Sequence, residues 1–209
     1  MTMPPALAQA LRAANNRLRA LLDTPFDTNA PSALPGWTRA HVLTHLANLA
    51  AAFTRQAEFA YAGNQIEVYD GGRPARDAAI EQGATQPPKT LRATLHTALN
   101  TLDATWDKAT PADWTRPVTY RDGTLLDTAL AWWREAEIHT TDLALAYTPT
   151  EWTPEFTAYL TTYLHPRLPH PVTLEGTPTA VAAWLAGRVP PTPVTAADGT
   201  PLPTLNSWP

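Results

Sequence analysis

The sequence contains no cysteine among its 209 residues. This absence excludes disulfide bonds, thiolate metal ligands and a cysteine nucleophile, and it leaves the redox compartment undetermined. Any sulfur chemistry that the protein performs must therefore use a thiol that binds from outside the chain.

Lysine is scarce, and the positive charge is scattered. The only lysines are Lys89 and Lys108, the other basic residues are arginines spread along the chain, and the formal net charge is −4. Because nucleic-acid binding needs a clustered basic surface, we expect no nucleic-acid partner.

Long apolar runs are also missing. No run approaches the roughly 20 residues that a membrane span needs. The N-terminus lacks the basic start and apolar core of a secretory signal. We therefore expect a cytoplasmic protein without membrane contact. The length and the hydrophobic fraction of 44% fit one sizeable globular domain with a small appendage, and the sequence leaves the oligomeric state open, a monomer included.

Proline divides the chain into two regions. Residues 1–148 contain ten prolines, and the much shorter stretch 149–209 contains the other twelve. Apolar residues at helical spacing in the first region predict four main helices, over about 4–22, 39–62, 87–106 and 125–147. A turn and a short helix are predicted at 69–84. Four helices joined by loops favour an antiparallel bundle.

The second region is predicted to be a small α/β domain. Thr153 and Pro154 suit the start of a helix, and PVTLEG (171–176) has the pattern of a short strand. Residues 177–188 predict a further helix. A hairpin is predicted about Asp198-Gly199, because this dipeptide is typical of tight turns between strands.

The most informative segment is WWREAEIHTTDL (132–143), within the fourth predicted helix. Glu135 and His139 are four residues apart and share one helical face, so they can bind one metal ion together. Such pairs usually lie on the surface, but the apolar neighbours Trp132 and Ile138 predict partial burial. A buried carboxylate and imidazole need a partner, and a divalent metal is one.

His45, on the second predicted helix, could supply a third ligand. It lies at helical spacing from Val42 and Leu49, which predicts an inward-facing side chain. Three protein ligands leave coordination positions open, as in catalytic sites. His41, four residues earlier, could instead complete a closed four-ligand site with a structural role. Asp142 is either a residue that orients a ligand histidine or a plain surface acid.

The other acidic and imidazole groups near this pattern are predicted to be ordinary. His96, His165 and His170 have no partner at metal-ligand spacing. Glu137 lies on the other side of its helix from Glu135, and we expect it to face solvent.

Three segments together resemble the mycothiol-dependent maleylpyruvate isomerase family. They are GWTRAHVLTHLANL (36–49), YDGGRPARDAAIEQGA (69–84) and REAEIHTTDL (134–143). That family belongs to the DinB-like superfamily of metal-binding four-helix bundles. The resemblance covers most of residues 1–148, for which it implies a DinB-like bundle. Residues 149–209 resemble the family's small C-terminal α/β domain more loosely, through WLAGR (184–188) and the ending PLPTLNSWP.

The resemblance implies a particular ligand set. The metal ligands would be His45, Glu135 and His139, with zinc the usual metal. It assigns His45 rather than His41, because His45 occupies the motif position that follows Gly36-Trp37.

The resemblance also points to one arginine. Arg76 matches the arginine that the family uses in catalysis, in the segment between the second and third main helices. Arg73 is the rival in the same segment. Without the resemblance, we would interpret Arg76 as a solvent-facing residue on a short helix.

The implied activity is the cis–trans isomerisation of maleylpyruvate by a metal- and thiol-dependent enzyme. A low-molecular-weight thiol, mycothiol or an analogue, would be activated as a thiolate by the metal and would add reversibly to the double bond. The partners would be a small-molecule substrate and this exogenous thiol. A thiol S-transferase and a non-catalytic metal-binding bundle are the alternatives, and a closed site that includes His41 would favour the latter.

Overall fold

The computed structural model describes residues 3–209 and divides into two compact units. The first unit ends at Ala144, and the second spans Leu145–Pro209. Five α-helices form the first unit: α1 (Pro5–Leu22), α2 (Arg39–Tyr61), α3 (Gly72–Ala84), α4 (Pro88–Trp106) and α5 (Leu125–Asp142). Two short 3-10 turns, Asp113–Thr115 and Tyr120–Asp122, lie between α4 and α5.

The second unit combines short helices with two short strands. Its elements are α6 (Pro154–Leu164), β1 (Leu174–Glu175), α7 (Pro178–Leu185) and β2 (Thr195–Ala196), with 3-10 turns at Pro149–Glu151 and His165–Arg167. The strands pair antiparallel, with Leu174 opposite Ala196. The predicted class, a mainly helical bundle with a small C-terminal α/β part, is confirmed.

Helix α2 lies at the centre of the first unit. It packs against α3, α4 and α5, and α1 packs against α4 and α5. The core is rich in leucine, and the fully buried leucines include Leu18, Leu43, Leu46, Leu95, Leu99 and Leu125. Each contributes roughly 1.5–3 kcal/mol through burial, which holds the four long helices together. No helix within residues 3–209 is both long and apolar enough to cross a membrane.

Threonine residues set the starts of α2 and α5. Thr38 precedes α2, and its hydroxyl oxygen lies 2.7 Å from Nδ1 of His41. Thr124 precedes α5, and its N–H and O–H groups both donate to Asp127 at 2.7 Å. These capping contacts supply partners for groups at the helix start and so favour a start at these residues.

The predicted end of the fourth main helix, at Tyr147, is wrong. Helix α5 ends at Asp142, and Ala144 has a left-handed backbone with φ of 52°. The guanidinium of Arg39 donates to the carbonyls of Leu143, at 2.7 Å, and Ala144, at 2.9 Å. Because these contacts come from a residue over 100 positions away, apolar periodicity could not reveal this stop.

The predicted hairpin about Asp198-Gly199 is also wrong. A turn does form there: Gly199 has φ of 73°, and the N–H of Thr200 donates to the Asp198 carboxylate at 3.0 Å. Among the described residues, however, no strand follows this turn. The partner of β2 is β1, so the two strands pair across a helix rather than across the turn.

The expectation that Glu137 faces solvent is corrected as well. Its residue exposure is only 2%, and Arg17 of α1 donates to its carboxylate at 2.7 Å. The face of α5 that carries Glu137 is covered by α1, and Arg17 supplies the opposite charge that a buried carboxylate needs.

Candidate metal centre

The structure brings His45, Glu135 and His139 together. Nε2 of His45 lies 2.9 Å from Oε2 of Glu135, and Nε2 of His139 lies 3.1 Å from the same oxygen. The two imidazole rings meet edge to face, with centroids 4.7 Å apart. One ligand atom from each residue lies within 4.8 Å of the others. Helices α2 and α5 therefore present two nitrogens and one oxygen to a single point.

The donor set and its surroundings fit a divalent cation. The His45 side chain is 5% exposed and that of His139 is 15% exposed, whereas Glu135 keeps 30% exposure. The cluster is thus buried on its imidazole side and open on its carboxylate side. Imidazole and carboxylate suit zinc and several other transition metals, and three protein ligands leave room for an exogenous ligand.

The charges of the three groups depend on one another. Burial raises the pKa of Glu135, but its hydrogen bonds with His139 and His45 outweigh burial and hold this pKa well below its usual range. Burial lowers the pKa of His139, but hydrogen bonds with Asp142 and Glu135 outweigh it and raise this pKa to about 9. Burial dominates at His45 and lowers its pKa. Without a metal, a proton on His139 therefore balances the charge of the carboxylate.

Asp142 orients His139. Its side chain is fully buried, and its Oδ2 lies 2.8 Å from Nδ1 of His139. An acceptor at Nδ1 keeps the ring proton on that nitrogen, which directs the Nε2 lone pair toward the cluster. Of the two interpretations that the sequence allowed for Asp142, the buried orienting residue agrees with this geometry and the surface acid does not.

His41 does not join the cluster. Its Nδ1 lies 2.7 Å from the hydroxyl of Thr38, and its Nε2 lies 3.4 Å from Glu81, so both ring nitrogens are engaged elsewhere. Its ring stacks on Trp37 with centroids 6.1 Å apart. The side chain caps the start of α2, and the closed four-ligand arrangement is not formed.

Arg76 reaches the cluster from α3, and Arg73 does not. Nη2 of Arg76 lies 3.2 Å from Nδ1 of His45, and its Nη1 donates to Asp77 at 2.6 Å. The Arg73 side chain is 89% exposed, and its Nε lies 3.9 Å from Oδ2 of Asp77. Of the two rival arginines in this segment, Arg76 is thus the one beside the candidate ligands.

A cavity of about 290 Å³ lies between α2 and α3, beside Arg76. Tyr69, in the loop before α3, also lines it. The sequence did not single out Tyr69, because a tyrosine in a loop has no periodicity and no partner at a characteristic spacing. Its place in the same segment as Arg76 was the only signal.

The matching family model describes the N-terminal domain of mycothiol maleylpyruvate isomerase, and it covers residues 8–144. The matched residues include the three candidate ligands and Arg76. The comparison with curated proteins gives no match.

Two solved structures have the same fold over nearly the whole chain. They are described as the crystal structures of the mycothiol-dependent maleylpyruvate isomerase and of a histidine-to-alanine mutant of it. Each has a TM-score of 0.86 and a sequence identity of 21%, and each comparison covers 95% of this chain and 95% of the other. At this identity, the similarity shows the fold.

Proposed function

The chain belongs to the mycothiol maleylpyruvate isomerase family, whose N-terminal domain it carries over residues 8–144, and we propose on this premise that it is a metal- and thiol-dependent isomerase. The substrate would be maleylpyruvate or a similar small acid with a cis double bond. The thiol would be mycothiol or an analogue. The proposal includes a cytoplasmic location and a division into a metal-binding domain, 1–148, and a small C-terminal domain, 149–209.

The convergence of His45, Glu135 and His139 is the observation that carries this proposal. Two imidazole nitrogens and a carboxylate oxygen lie within 4.8 Å of one another, on a cluster whose carboxylate side is open. We propose that these three residues bind a divalent cation, with zinc as the first choice, because zinc favours this donor set and the observed count of three protein ligands.

In the proposed reaction, the residues of the chain bind the cation, orient its ligands and neutralise the substrate carboxylate. A divalent cation bound by the three ligands would lower the pKa of a coordinated thiol and so supply a nucleophile near neutral pH. Asp142 holds His139 in the tautomer that leaves Nε2 free to bind the cation. Arg76, beside His45, can bind a substrate carboxylate through two parallel hydrogen bonds. Because the chain has no cysteine, no thiol of its own competes for this position.

Metal analysis of purified protein tests the ligand set. We expect stoichiometric metal in the wild type and in His41→Ala, and loss of metal in His45→Ala. His41→Ala is the matched control, because it removes a histidine one turn away that has a capping role. Full metal retention in His45→Ala would contradict the proposed site.

An assay of maleylpyruvate with a panel of low-molecular-weight thiols tests the activity. We expect conversion that requires both a thiol and the metal and that is lost in Arg76→Ala. Consumption of thiol by other electrophiles, without isomerisation of maleylpyruvate, would indicate an S-transferase instead. Inactivity of the metal-loaded protein in both assays would indicate a non-catalytic metal-binding bundle.

A further inference from the structure

The cavity between α2 and α3 presents more hydrogen-bond donors than acceptors. Tyr69, Arg76 and Asn48 line it, together with small apolar side chains. Arg55 and Asp70 also line it, but they form a two-point ion pair with each other, at 2.9 and 2.6 Å, so their charges cancel. The guanidinium of Arg76 can only donate, and its five N–H groups exceed its contacts with Asp77, His45 and Tyr69.

The hydroxyl of Tyr69 is the most informative of these donors. Arg76 forms a hydrogen bond with Tyr69 and can only donate to the phenol oxygen, which leaves the phenol proton for another acceptor. Tyr61 shows the ordinary arrangement, in which the phenol donates to the carbonyl of Thr105 at 2.9 Å. Burial raises the pKa of Tyr69, so its proton is present at neutral pH and available to a ligand.

This cavity borders the candidate metal centre. Arg76 contacts both, because it lines the cavity and its Nη2 lies 3.2 Å from Nδ1 of His45. Asn48 follows His45 by three residues on α2, which places it about one helical turn further along the same side. A molecule in the cavity would therefore lie beside the metal ligands.

We propose that Tyr69 and Arg76 together bind the acid group of the electrophile in this cavity. The proposal rests on the proposed function, because it names the site that holds that substrate. A cavity in which donors outnumber acceptors favours a ligand with oxygen acceptors, and the guanidinium favours a negative one. The volume of about 290 Å³ suits a small acid rather than a bulky cofactor.

Equilibrium binding of maleate tests the proposal without any turnover. Calorimetry follows the titration of metal-loaded protein with maleate, and no thiol is present. We expect Tyr69→Phe, which removes one O–H group, to weaken maleate binding by about tenfold, since a hydrogen bond to a charged group is lost. Ala79→Leu, on the cavity wall at an exposed position of α3, narrows the cavity and should also weaken maleate binding.

Two matched variants serve as controls. Tyr61→Phe removes a phenol hydroxyl outside the cavity, and Ala93→Leu narrows the neighbouring groove between α2 and α4, which has a volume of about 530 Å³. Both should bind maleate as the wild type does. Unchanged maleate affinity in Tyr69→Phe and Ala79→Leu would overturn the proposal, and so would a wild type that binds no maleate at millimolar concentrations.

Steady-state kinetics distinguishes binding from a structural role. In Tyr69→Phe we expect the KM for the electrophile to rise about tenfold with kcat nearly kept, as for a contact equally strong in the ground and transition states. A fall in kcat with KM unchanged would contradict this role. The protein could bind maleate in a manner that depends on Tyr69 and yet show no metal- and thiol-dependent activity. That result would contradict the proposed function but support the proposed binding site.

Discussion

Two buried polar clusters in the first unit are built in opposite ways. Around Asn15, the polar side chains form hydrogen bonds with one another. Its amide N–H donates to Asp103 at 2.7 Å, its amide oxygen accepts from the Trp132 indole at 2.8 Å, and Arg19 donates to the other oxygen of Asp103 at 2.5 Å. Donors and acceptors match, so this cluster is closed.

The cluster of His45, Glu135 and His139 is not closed in this way. One carboxylate oxygen faces two imidazoles, and the match depends on a proton that His139 carries. A divalent cation can replace that proton. The comparison shows that a buried network which the chain completes alone serves the fold, whereas one that needs an added positive charge is suited to binding.

Removing the shared carboxylate should have the largest effect. We expect Glu135→Ala to weaken metal binding by more than about 100-fold, since loss of a direct ligand should exceed the 10- to 100-fold effect of an outer residue. Competition with a chromophoric chelator measures this. Tight metal binding in Glu135→Ala would remove the distinction between the two clusters.

Asp142→Asn should have the next largest effect. An asparagine can no longer hold the charge-assisted hydrogen bond to His139, so we expect about 10- to 100-fold weaker metal affinity, with full occupancy at saturating metal. The control is Asp23→Asn, which alters an exposed His–Asp pair with His96. Equal losses in both variants would show that Asp142 has no particular influence on the metal.

Asn15→Ala should affect stability and not metal content. The Trp132 indole, which is fully buried, would lose its acceptor, and we expect unfolding free energy to fall by about 2 kcal/mol. Chemical denaturation measures the loss. Asn16→Ala, at the adjacent exposed asparagine, should change it much less. Loss of metal in Asn15→Ala would mean that the clusters are coupled.

A change of pH should distinguish the two clusters, and its effect per pH unit is the smallest of the effects predicted for them. The pKa of His139 in the metal-free protein is about 9, so below that pH the ring holds a proton that a cation must displace. Apparent metal affinity should therefore fall by about tenfold per pH unit from 8 to 6. The amide of Asn15 does not titrate, so the destabilisation by Asn15→Ala should be constant over this range. A pH-independent metal affinity would contradict the exchange of proton for cation.

Local signals explain why much of the site could be predicted. The pairing of Glu135 with His139 follows from helical spacing, and the burial of His45 follows from its spacing to Val42 and Leu49, since both patterns depend on one helix. The structure buries His45 at 4% exposure, in agreement with that spacing. The role of Arg76 was implied by the family resemblance, because nothing in its own segment separates it from Arg73.

Other features depend on contacts between distant segments. Arg39 donates a hydrogen bond at the end of α5, Arg17 forms an ion pair with the buried Glu137, and β1 pairs with β2. Each of these contacts joins residues that share no local pattern. The same holds for Tyr69, whose hydroxyl matters only because α3 brings Arg76 beside it.

The sequence by itself determined the helices, the absence of any thiol and the two residues of α5 that can share a cation. Each of these is a property of composition or of spacing along a single helix. Helical spacing left His41 and His45 both possible, and the tertiary structure places His45 with them, as the family resemblance implied. Only the tertiary structure decided that a cavity lined by Tyr69 and Arg76 lies beside them. The physical reason is that the candidate three-ligand site is formed by the packing of α2 against α5, and its neighbouring cavity by the packing of α2 against α3.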